Sequence, residues 1–182
     1  MQELELLPVK TGKVLKMLKE CGAFMLLDHN DSHYLVTEYF ILQLRERDAW
    51  LIQCGMAVEQ RNRYYVKIKK EWQESMKPAE ADAVVTRYES LVTQAAAKTP
   101  SYWTGITIAR HHDTEMDGRL FVSREGYALL RGDYLEMVGD GLPIVCVGGA
   151  AVAGGQHVLT LLPDDAWQEN DFITHYEWEG ES

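Results

Sequence analysis

Hydrophobic spacing divides the chain into segments of two periods. In "TGKVLKMLKECG", Val14, Leu15, Leu18 and Cys21 fall on one side of a helix, while Lys13, Lys16 and Lys19 recur every third residue on another. Gly22 is placed to end that helix. The segments "AFMLLDH", "HYLVT", "YFILQL" and "AWLIQCGM" then read as extended, with polar breaks such as "HNDS" and "RERD" between them. Together they predict an antiparallel meander.

"RNRYYVKIKK" has a period of two. Arg61, Arg63, Tyr65, Lys67 and Lys69 share one face of a predicted strand, and Asn62, Tyr64, Val66 and Ile68 share the other. The reading assigns Tyr64, Val66 and Ile68 to the core and the basic face to solvent. Residues 79–98 carry apolar side chains at Ala81, Val84, Val85, Tyr88, Leu91, Val92 and Ala95, an amphipathic helix closed by Thr99-Pro100. "YWTGITIAR" and "RLFVS" predict two strands joined through "HHDTEMDG". "GDYLEMVG" predicts a short helix with Asp133 as N-cap and Glu136 as its reciprocal partner. A strand pair, "LPIVCVGG" and "QHVLTLLP", is expected around the glycine-rich "GGAAVAGG". The order is that of an α+β fold with antiparallel sheet, not of alternating βαβ units. The domain reading is one unit over 1–163, with halves of about 1–70 and 100–163 joined by 71–99. An acidic, aromatic tail spans 164–182.

Composition narrows the class. The chain has 182 residues, of which 46% are apolar and 25% charged, the usage of a globular protein able to bury a core. No apolar run reaches the roughly 18 residues that span a bilayer. "MQELELLPVK" lacks the n- and h-regions of a secretory signal, so a soluble, cytoplasmic protein without membrane contact is expected. Cys21, Cys54 and Cys146 are far apart beside apolar residues, which predicts reduced, semi-buried thiols. The formal net charge is −10, unevenly spread. Residues 1–70 hold 11 Lys+Arg against 9 Asp+Glu (+2), and residues 71–182 hold 7 against 19 (−12). From Asp164 onward there are seven acids and no Lys or Arg.

Little in the chain points to catalysis. His111, His112, Asp113, Glu115 and Asp117 have metal-ligand chemistry, yet Arg124 stands where a calcium loop begun at Asp113 needs a bidentate carboxylate. Adjacent histidines in an extended segment point to opposite faces, so a solvated hairpin is the reading and no metal or cofactor is expected. "VGGAAVAGGQ" lacks the glycine spacing and the Lys-Ser/Thr of a phosphate cradle. His29, His33, His157 and His175 have no partner that sequence supplies. A non-enzymatic protein is expected. Two basic features remain: the lysine helix, either a solvated face or a phosphate contact, and the basic strand, either a protected sheet edge or a face toward a polyanion.

The stretch "DGRLFVSREGYALLRGDYLEMVGDGLPIVCVGG", followed by "QHVLTLLP", resembles the closing part of sliding-clamp domains, the DNA polymerase processivity factors. The matching features are Tyr134-Leu135, Gly139-Asp140, Pro143-Ile144 and Leu162-Pro163. "LVTEYFILQLR" is similar to a clamp strand-turn-strand, with Thr37-Glu38-Tyr39 in place of its turn, and the helix over 79–98 has no counterpart there. The resemblance implies two helix-plus-meander halves, helices on a DNA-facing side and sheet outside. It implies duplex DNA and replication proteins as partners, sequence-independent binding and a homo-oligomeric ring. Lys13, Lys16 and Lys19 would be the principal DNA contacts, with Arg61, Arg63, Lys67 and Lys69 an outer or secondary set. The alternative, drawn from the −12 segment and the tail, is an acidic interaction or inhibitory module that engages a basic protein partner, imitating nucleic acid.

Overall fold

A computed structural model describes residues 5–111 and 114–162. The first half runs α1 (Thr11–Glu20), β1 (Ala23–His29), β2 (Ser32–Val36), β3 (Phe40–Leu44), α2 (Glu46–Met56), β4 (Arg63–Ile68) and β5 (Glu71–Glu74). After α3 (Ala81–Ala96) come β6 (Tyr102–His111), β7 (Thr114–Ser123), β8 (Gly126–Arg131), α4 (Gly132–Val138), β9 (Ile144–Val147), β10 (Ala150–Ala153) and β11 (His157–Thr160). The fold is α+β with antiparallel sheets. Eight strands form one sheet in the order β5-β4-β1-β2-β3-β11-β10-β9, and β6-β7-β8 form a second. The two halves of the chain therefore meet at the β3 to β11 pairing, where Leu42 faces His157 and Phe40 faces Leu159.

Both faces of the large sheet are covered, and this explains its strand patterns. On one face α1, α2 and α4 contribute Leu18, Ile52 and Met137 to the main core, which takes Phe24 and Leu26 from β1. On the other face α3 lays Val85 and Tyr88 on Met25 and Leu27, the intervening residues of the same strand. A strand buried on both sides reads as an unbroken apolar run, and "FMLL" does. Phe121 and Leu130 of the second sheet also enter the main core.

The two-sided covering also corrects the reading of β4. Tyr65, on the face expected to be solvated, is buried in the main core and stacks on Phe24 at 5.4 Å. Tyr64 is only half-buried, against the α3 layer, and Ile68 is exposed. Lys69 is not a strand residue. With Lys70 it forms the tight β4 to β5 turn, at φ 50° and 69°.

Other expectations change as well. "AWLIQCGM" lies in helix α2, not a strand, and "RERD" is its start: Glu46 and Asp48 sit in the first turn, where the helix dipole favours acids. The N-cap of α4 is Arg131, not Asp133, and it makes no side-chain cap bond; Asp133 instead accepts from Arg131 Nη2 at 2.8 Å. The glycine-rich stretch contains a strand of its own, β10, between two turns. The three cysteines are free, but Cys54 is exposed, because it lies on the outer side of α2 where a strand reading had placed it among neighbours. Among the described residues no helix is long and apolar enough to cross a membrane.

Candidate nucleic-acid interface

Helix α1 packs Val14, Met17 and Leu18 inward, which leaves Lys13, Lys16 and Lys19 exposed on the outside of the helical layer. Lys13 is partly neutralised, with Nζ 3.2 Å from Glu136 Oε2 on α4. Among the described residues, neither Lys16 nor Lys19 has a carboxylate within ion-pair distance. Acids do border the stripe: Glu20, Asp133 and Glu136 share a shallow depression with Lys13 and Lys16.

The basic strand splits in two. Arg61, just before β4, is committed to the protein: Nη1 donates to Asp28 Oδ1 at 3.0 Å, Nε to Gln53 Oε1 at 3.0 Å, and Nη2 lies 3.3 Å from Glu46 Oε1. The same two carboxylates hold His33, through Nδ1 to Asp28 at 2.7 Å and Nε2 to Glu46 at 2.6 Å. Arg61 thus joins β1, β2 and the start of α2. Arg63 pairs with Glu74 of β5 at 3.0 Å.

Lys67 behaves differently. Its Nζ donates to the Lys19 carbonyl at 2.6 Å, at the end of α1, and lies 5.7 Å from the centroid of the Trp72 ring. Helix and strand, some 48 residues apart in sequence, are thereby brought to one place. Beyond Lys67 the hairpin turns at Lys69 and Lys70, both exposed. Two successive left-handed residues are what a two-residue hairpin needs, and the β1 to β2 turn supplies them with Asn30 and Asp31, which tolerate that conformation. Lysine does not, and each left-handed lysine costs about 1 kcal/mol. The structure therefore brings the Lys67 ammonium to the end of α1 beside the Lys19 backbone, leaves Lys16, Lys19, Lys67, Lys69 and Lys70 exposed, and pairs Arg61 with Asp28 and Glu46 and Arg63 with Glu74.

Elsewhere, the histidine-acid stretch carries no assembled site among the described residues: no group of three His, Cys, Asp or Glu could hold a metal ion. His112 and Asp113 lie outside them, as does the tail over 164–182. Burial pushes the Cys21 and Cys146 thiols up, which disfavours the reactive thiolate at neutral pH.

A second feature had no sequence signal. The second sheet, the end of α4 and the loop into β9 enclose a groove of about 900 Å³. Trp103 and Phe121 are cross-strand neighbours on its floor, as are Thr107 and Arg119. Trp103 stays half exposed, and the Arg119 guanidinium lies 5.7 Å from the centroid of its ring. Asp117 on β7 and Asp140 after α4 flank that guanidinium at 3.5 and 3.3 Å. Gly132 leaves room for the Asp117 carboxylate, which a Cβ there would displace. Sequence offers only exposed aromatics near scattered charges, and folding alone brings residues 103, 119 and 140 together. In comparisons with protein families, curated proteins and solved structures, nothing matches this chain.

Proposed function

We propose that the protein is a non-enzymatic, clamp-like DNA-replication accessory factor that binds duplex DNA through electrostatics without reading its sequence. The observation that carries this reading is the Lys67 Nζ bond to the Lys19 carbonyl, which joins β4 to the end of α1, two elements on which Lys16, Lys19 and Lys67 are exposed. Its position agrees with the clamp resemblance, since α1, α2 and α4 share one face of the large sheet. The strained lysine pair at the hairpin tip is the second support. Backbone strain retained where Asn-Gly would relieve it is a feature of functional sites. Placement of α3 on the opposite face departs from the clamp pattern, and the ring expected of that family is part of the proposal.

The test is fluorescence anisotropy on a mixed-sequence duplex over a salt series. Affinity should fall steeply with salt, and replacing Lys16 and Lys19 by alanine should flatten the slope of log K against log salt by about 2, one unit per lost phosphate contact. Lys13→Ala should change it less, because Glu136 already holds that ammonium. No binding at low salt, or a slope untouched by the double substitution, would overturn the reading.

A further inference from the structure

We propose that the groove between the second sheet and the α4 to β9 loop is a docking site for a lysine or arginine side chain carried on an apolar segment of a protein partner. The charge balance selects the sign. Among the described residues Asp117 and Asp140 face the one guanidinium of Arg119, so these three side chains carry one negative charge in excess, and an incoming anion would meet two carboxylates. Neither contact to Arg119 reaches the 2.7–2.9 Å typical of a strong charge-assisted bond. Each carboxylate meets Arg119 through one oxygen, and with 43% and 65% of their side chains exposed Asp117 and Asp140 are accessible to a second cation. Trp103 supplies the other half of the recognition. Arg119 already lies 5.7 Å from the centroid of its ring, yet Trp103 remains 53% exposed, and indole is the strongest aromatic partner for a cation.

The rest of the groove suits the stem and its flanks. Leu142, Pro143 and Ile144 form one wall and Phe121 the floor, apolar surface against which the methylenes of a lysine or arginine pack while the head group reaches the acids. A volume of about 900 Å³ is within the range of ligand-binding clefts. The groove lies beside β9, at the opposite end of the large sheet from the β4 to β5 hairpin. Helix α4 lies between the groove, which its end lines, and the α1 lysines, which border Asp133 and Glu136. The inference does not depend on the duplex reading.

The probe is a blocked, fluorescein-labelled nonapeptide of alternating valine and arginine, with valine-glutamate and valine-serine peptides as comparisons, titrated against the full chain at physiological salt. The arginine peptide should bind, and Asp117→Asn with Asp140→Asn should weaken it by about fivefold to tenfold, as the loss of two partly exposed charge pairs does. Trp103→Ala should also weaken it, and Trp103→Phe should restore part of the loss. Glu59→Gln with Glu71→Gln removes the same two charges at the far edge of the sheet and should change affinity less than about twofold, as expected for screened, distant charges. Equal loss in both pairs would mean general attraction to an acidic protein and would overturn the proposal. So would unchanged binding in the groove variants, or tighter binding of the glutamate peptide. The two asparagine substitutions keep side-chain shape, so a melting temperature near wild type will separate lost docking from lost fold.

Discussion

His157 shows how a single side chain can set a pH limit on the fold. It sits on β11 opposite Leu42 and Ala153, both in the main core, and neither ring nitrogen has a hydrogen-bond partner among the described residues. Burial lowers its pKa to about 4, against 6.5 when unfolded. Between those values the unfolded chain binds the extra proton, so this residue's contribution is intact above pH 6.5, declines as pH falls toward 4, and is constant below. The loss from neutral pH to pH 4.5 should be about 2–3 kcal/mol, at 1.36 kcal/mol per pKa unit. Urea unfolding at pH 7.5 and 4.5 measures it. His157→Leu should remove this part of the acid sensitivity and add about 1–3 kcal/mol at neutral pH, by deleting unsatisfied buried polar atoms. The hairpin lysines act at the same scale with opposite consequences for stability and binding. Lys69→Asn with Lys70→Gly should raise stability by about 1–2 kcal/mol through relief of left-handed strain. It should also weaken duplex binding, and a gain in stability with unchanged DNA affinity would mean that these lysines serve only the turn.

At the scale of elements, Arg61 is a strut and not a contact. Its guanidinium ties β1 and β2 to the start of α2 through Asp28 and Glu46, and its side chain is only 14% exposed. Arg61→Ala should cost roughly 1–3 kcal/mol, the range for hydrogen bonds to charged groups, and leave the salt slope of duplex binding unchanged. The distinction was not legible in "RNRYYVKIKK", where Arg61 and Lys67 occupy equivalent alternate positions. What separates them is which element lies opposite: the acids of β1 and α2 for Arg61, the carbonyl end of α1 for Lys67. Elements with one strongly apolar face, α1 and α3, were readable from spacing alone. Helix α2 was not, because Trp50 and Leu51 fill the gap between Ala49 and Ile52 and the run looks continuous. Strand β5, "EWQE", is short and polar, and only its pairing with β4 makes it a strand. The Trp103 groove was illegible for a related reason: its two walls come from residues that alternate on one sheet and from a loop that approaches them only after folding.

For the whole molecule, the question is how a chain of net charge −10 can approach a polyanion. Local surface and total charge act over different distances. On the duplex reading Lys16, Lys19 and Lys67 would contact phosphates within a few ångströms, while the remaining charge is felt at about 10 Å in 0.1 M salt and at about 30 Å in 0.01 M. The seven acids from Asp164 onward carry most of the excess, and converting them to Asn and Gln takes the formal net charge from −10 to −3. If the lysine surface binds duplex, this neutralised full-length protein should associate several-fold faster at low salt, with the difference vanishing as salt rises past the screening limit. Stopped-flow anisotropy at two ionic strengths checks both halves. Dissociation should change little, because the substitutions leave the lysine surface itself unaltered. An equal gain at both ionic strengths would instead mean that the tail competes directly for the lysines, a short-range contact that salt at these concentrations does not remove. No gain at either would place the duplex, if it binds, beyond the reach of the tail's charge.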